Sequence, residues 1–102
     1  MSETALEVPD GATYGGYEIT EIGRDEMKLW VIYEGDDLMD GWDQIMFTLE
    51  WVDGTPTVTE TPVGLVPPET AKKHDSPGAR ESNGLYDLLR GNGVEFDVSD
   101  EW

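Results

Sequence analysis

Gln44-Ile45-Met46-Phe47-Thr48-Leu49-Glu50-Trp51-Val52-Asp53-Gly54 decides the fold. Ile45, Phe47, Leu49 and Trp51 alternate with Met46, Thr48, Glu50 and Val52, the two-residue period of a pleated strand. Asp53-Gly54 is the pair that a two-residue hairpin turn favours, because both turn positions take positive φ. Beyond it, residues 57–61 suit a polar strand, and Pro56 and Pro62 bracket it in the manner of a sheet edge. Upstream, residues 27–34 form a second strong strand around Leu29, Trp30, Val31, Ile32 and Tyr33. Residues 17–22 are a third candidate, joined to it through the turn residues Gly23-Arg24-Asp25-Glu26, and a polar loop at 35–43 precedes Gln44. Four strands linked by short or medium loops predict an antiparallel meander.

The flanks add one helix and one more strand. Leu85, Leu88 and Leu89 fall at i, i+3 and i+4, predicting a short helix over 81–90 that ends where Gly91 offers a left-handed residue. Val94, Phe96 and Val98 then alternate as a final strand. Residues 64–84, rich in Pro, Gly, Ser and charge, read as a long connection with at most one helical turn at 69–73. Residues 1–16 read as an N-terminal arm that needs a partner to hold it, so the expected organisation is this arm followed by one α+β domain over 17–102. One helix covers one sheet face. Leu29, Val31 and Tyr33 point one way, but Trp30, Ile32, Met46 and Val52 point the other, which leaves a second apolar face for the terminal segments or another chain to bury.

The composition narrows the chemistry. The chain has 102 residues, with 23 Asp plus Glu against 6 Lys plus Arg, a formal charge of −17, and no Cys. That rules out disulfides, Cys-ligated metals and thiol nucleophiles, and it argues against direct nucleic-acid binding, which needs a basic surface. No apolar run approaches the length of a membrane span, and residues 1–16 lack the basic start and apolar stretch of a signal peptide. The acids are spread through every third of the chain rather than gathered in a tail. At about 0.2 kcal/mol per like pair across about 20 Å of water, such an excess of charge sums to more than a small domain's usual stability of about 5–15 kcal/mol. Screening over about 3 Å at 1 M salt removes nearly all of it, and over about 8 Å at 0.15 M leaves a few kcal/mol. Global acidity with only three Lys resembles the proteins of salt-in halophiles, a compositional class that implies a high-salt cytoplasm or a virion formed there.

No motif points to catalysis. The acidic loop with Asp36, Asp37, Asp40 and Asp43 fails the EF-hand pattern, since counting from Asp36 puts Leu38 third and Phe47 twelfth where carboxylates belong. His74-Asp75-Ser76 holds the residue types of a hydrolase triad, but three adjacent residues cannot relay a proton among themselves. No nucleophile elbow or phosphate-cradling loop occurs, and abundant acids make any carboxylate pair uninformative. The expectation is therefore a protein without enzymatic activity, cofactor or metal.

Three functions compete on these residues. A small interaction or structural module, such as an accessory subunit or a virion head or tail component, fits the two-sided strands and four Trp, aromatic anchors being common at interfaces. Its expected contacts are Trp30, Trp42 in the polar loop, Trp102 at the terminus, and the basic connection with Lys72, Lys73 and Arg80, through a protein partner or self-assembly. A nucleic-acid mimic that blocks a basic groove suits the charge but needs carboxylates in rows, and only short pairs such as Glu34 with Asp36 or Glu95 with Asp97 occur. A regulator holding a small molecule between sheet and helix would need an apolar cavity, and no ligand is evident from the sequence.

Overall fold

The computed structural model describes residues 4–98. It is a mixed α+β fold, a mostly antiparallel sheet of seven strands with two helices, finer than the four-strand meander, single helix and final strand expected. The four anticipated strands are its centre: β3 (Tyr17–Arg24), β4 (Lys28–Glu34), β5 (Trp42–Val52) and β6 (Thr55–Val58) pair successively antiparallel. Three two-residue strands complete it. β1 (Thr4–Ala5) and β2 (Thr13–Tyr14) both pair antiparallel with β3, and β7 (Glu95–Phe96) runs parallel to β6.

The turns follow their residues. Asp53 and Gly54 take φ of 52° and 81°, the mirror-image turn that lets twisted strands close tightly. At the β3–β4 turn, Asp25 Oδ1 accepts from the main-chain N–H of Met27 and of Lys28, both at 2.7 Å, and these bonds hold its carboxyl below the usual carboxylate range. β6 is not the sheet edge, since β7 lies beyond it, and Pro56 sits inside the strand opposite Trp51 rather than before it.

The 64–84 connection is more ordered than its composition suggests. It contains α1 (Pro68–Lys73) and the start of α2 (Pro77–Arg90), which begins four residues before the expected helix. Ser76 is the cap: its Oγ accepts from Ala79 N–H at 3.2 Å, and Pro77 fills the first helical position, where no N–H is needed. At the other end Gly91 is right-handed with φ −63°, and the left-handed residue is Gly93 with φ 87°.

Both helices lie on the sheet face that carries Leu29, Val31, Phe47 and Leu49, where Ala79, Leu85, Tyr86 and Leu89 of α2 join the buried cluster. Phe96 meets Tyr86 and Phe47 edge-on, with ring centroids 4.9 and 6.3 Å away. The Tyr86 hydroxyl donates to the Val66 carbonyl, and burial pushes its phenol up to about 12. The described part of the N-terminal segment, from Thr4 onward, is hydrogen-bonded to the rest of the chain. Leu6 N–H donates to Ile22 C=O at 2.8 Å, and the Asn92 side chain accepts from Glu7 N–H at 2.9 Å and donates to Glu7 C=O at 3.0 Å.

Ser76→Ala should destabilise the domain by about 1 kcal/mol in urea melts, the usual loss for an N-cap oxygen. Because the Tyr86 phenol ionises higher in the folded state than its ordinary value of about 10, the folded chain holds more protons above that pH. Stability should therefore fall as pH rises from about 10 to about 12, and Tyr86→Phe should flatten that fall in melts recorded across the same window.

Candidate protein-interaction surface

Pairing register sorts the residues of the central strands. Trp30 lies opposite Met46, Ile32 opposite Gln44, Lys28 opposite Thr48 and Glu34 opposite Trp42, so all of these side chains share the sheet face turned away from the helices. Among the described residues, no helix or strand packs across this open face. The helices and Leu6, Val8 and Ala12 of the N-terminal segment all pack on the other side. Trp42 is 49 % exposed, Met46 43 % and Val52 49 %, which leaves an aromatic and aliphatic row in water.

Trp30 is half-buried because of a glycine. A Cβ at Gly23, its cross-strand partner, would stand 2.6 Å from Trp30 Nε1, so only glycine lets the indole lie flat over β3. Its N–H donates to Glu21 Oε2 at 3.0 Å, fixing the ring in that position.

Trp51 serves inside the domain instead. Its Nε1–H donates to Glu26 C=O at 2.7 Å, and the Arg24 guanidinium sits 5.0 Å over the ring. With Thr4, these residues line a shallow depression at the β3–β4 turn.

Of the six residues expected to make contacts, the structure brings Trp30 and Trp42 onto one face, about 13 Å apart along the strands. Trp42 is the first residue of β5 rather than part of a polar loop, so strand pairing sets its direction. Lys72, Lys73 and Arg80 belong to the helical layer on the other side of the sheet and do not join them. Lys72 pairs with Glu69 at 3.4 Å and Arg80 with Asp75 at 2.9 Å, both exposed and local. Trp102 lies outside the described residues.

The motifs tested for chemistry have structural work. Ser76 caps α2, Asp75 pairs with Arg80, and His74 ends α1. In the acidic loop, Asp37 Oδ2 accepts from the Tyr17 hydroxyl at 3.0 Å, a bond that raises the phenol above its usual range. Among the described residues, no three His, Asp or Glu side chains converge as a metal site would require. The space between sheet and α2 is filled by Phe47, Tyr86 and Phe96.

Sequence reasoning missed one cluster. Tyr14, Tyr17 and Tyr33 gather at the end of the sheet, with Tyr33 5.5 Å from each of the other two rings. A Cβ at Gly35 would strike the Tyr17 ring at 2.3 Å, and Gly35 between strand and loop was the available signal.

No protein-family model, curated protein or solved structure matches this chain. No described helix is long and apolar enough to cross a membrane.

Gly23→Ala should lift Trp30 off β3 and break its bond to Glu21. The Trp30 indole N–H resonance should move toward its solvent-exposed position, with a stability loss of about 1–3 kcal/mol as for other overpacked sites.

Proposed function

We propose that this chain is a small, acidic, non-enzymatic interaction protein of a high-salt organism, an accessory subunit whose contact surface is the open face of the sheet. A virion head or tail component belongs to the same class. The observation that carries this reading is the exposed row of Trp42, Met46 and Val52, set beside Trp30 and Ile32 on a face the fold leaves uncovered. Aromatic and thioether side chains of this kind supply most of the binding energy when a partner covers them. Salt strengthens the case. Apolar contact survives at high ionic strength, whereas recognition by surface charge is screened away over about 3 Å at 1 M. A nucleic-acid mimic fits the face less well, because the outward row of β5 runs Trp42, Gln44, Met46, Thr48, Glu50, Val52 and holds a single carboxylate.

Circular dichroism and light scattering between about 0.1 and about 3 M KCl test the reading. The thermal midpoint should rise steeply with salt, and basic DNA-binding proteins added as bait should not be captured. Trp42→Ala combined with Met46→Ala should abolish association with the partner while leaving the circular dichroism unchanged. A protein whose midpoint ignores salt, and which captures basic bait only at low salt, would overturn the reading and establish the mimic.

A further inference from the structure

The ladder of β5 is occupied unevenly. Residues 49–52 pair with β6, whereas residues 42–48 pair with β4, and among the described residues no strand pairs with the other edge of 42–48. Leu49 N–H donates to Met27 C=O at 2.8 Å, so the odd-numbered residues of this stretch turn their main-chain groups to β4. Trp42, Gln44, Met46 and Thr48 therefore turn theirs to the open edge. Gln44 N–H is met there by Oδ1 of its neighbour Asp43 at 2.8 Å, a local substitute for a strand.

Exposed edges are normally guarded by Lys, Pro or a bulge. Between residues 42 and 48 there is neither Lys nor Pro, and Asp43 is the one charge, in a chain that carries 23 acids elsewhere and here. The stretch is thus a nearly uncharged edge on a highly charged molecule.

We infer that this edge pairs with the same edge of a second copy, antiparallel about a two-fold axis at Ile45. That register sets Trp42 opposite Thr48 and Gln44 opposite Met46, so every outward-turned residue meets another and about eight main-chain hydrogen bonds form once Gln44 N–H turns from Asp43 to the second copy. A slip of two residues leaves Thr48 without a strand residue to meet in one direction, and in the other sends Trp42 to Glu50, whose edge β6 already holds. Asp43 falls opposite Phe47, so no carboxylate faces a carboxylate within the pairing. A strand from a basic partner would find only that one carboxylate to meet its cations, whereas the two-fold arrangement asks for nothing the segment lacks. Residues directly opposite in an antiparallel pair share a face, so Trp42 and Met46 of both copies extend the open face into one continuous surface. The charge of −17 on each copy opposes association, which makes the dimer salt-promoted.

The inference rests on main-chain groups rather than on the side chains of the open face, so each survives the other's failure. Sedimentation velocity on the full chain should give a dimer in about 2 M KCl and an association roughly tenfold or more weaker at about 0.15 M. Amide exchange followed by NMR in high salt should slow about tenfold or more at Met46 and Thr48 on passing from dilute to concentrated protein, while Ile45 and Phe47 stay protected in both. Met46→Pro removes an outward donor and no bond to β4, and it should weaken association by about tenfold or more with unchanged far-ultraviolet circular dichroism. If that variant unfolds, the wild-type amides still decide. A monomer at every concentration and salt overturns the inference. So does a dimer whose Met46 and Thr48 amides exchange as in the monomer and which Trp30→Ala abolishes, a result that would place the contact on the open face.

Discussion

A pleated strand sends successive side chains to opposite faces, and this fold owns a single helical layer to cover them. Everything else follows from that mismatch. α2 takes the face with Leu29, Val31, Phe47 and Leu49, and its own Leu85, Tyr86 and Leu89 complete the core. Trp30, Ile32 and Met46, alternating with those residues, are thereby sent to the open side. The fold reduces the exposure where it has the means: Gly23 lets the Trp30 ring lie down, and Glu21 holds it there. At Trp42 and Met46 no glycine stands across the strand, and the side chains stay in water.

The charge distribution sharpens the contrast. Ion pairs among the described residues are local and exposed, as in Lys72 with Glu69 and Arg90 with Asp87, and contribute little each. Carboxylates crowd the loop at 35–41 and the rim of the sheet, while the outward row of β5 stays almost neutral. With one carboxylate, Glu50, in that row, the exposed apolar residues of β5 lie where local repulsion is weakest, and screening at high salt quiets the carboxylates around them.

The sheet centre was legible because its signals are local. Alternation fixed the faces of β4 and β5, and Asp53-Gly54 fixed the hairpin between β5 and β6. What escaped was either short or read with the wrong weight. β1 and β2 are two-residue strands, too brief for periodicity, and exist because β3 offers an edge to pair with, whereas the alternation of Val94, Phe96 and Val98 does mark the strand that becomes β7. Pro77-Gly78 looked like loop chemistry, yet Ser76 before it makes the same residues the first turn of α2. Of the site, Trp30 is legible from strand parity, whereas Asp40, Gly41 and Asp43 give the sequence around Trp42 the composition of a loop and hide the start of β5. Lys72, Lys73 and Arg80 lie near the aromatic residues in neither sequence nor space, and only the layer arrangement shows that they face away from them.

The amide of Asn92 holds Glu7 by two hydrogen bonds across 85 residues of chain. During synthesis the N-terminal segment emerges long before Asn92, so this clasp closes only after the turn that follows α2 has been made. Local hairpins of the meander can form early, but the final closure joins the first-made residues to some of the last, the kind of long-range contact that slows folding.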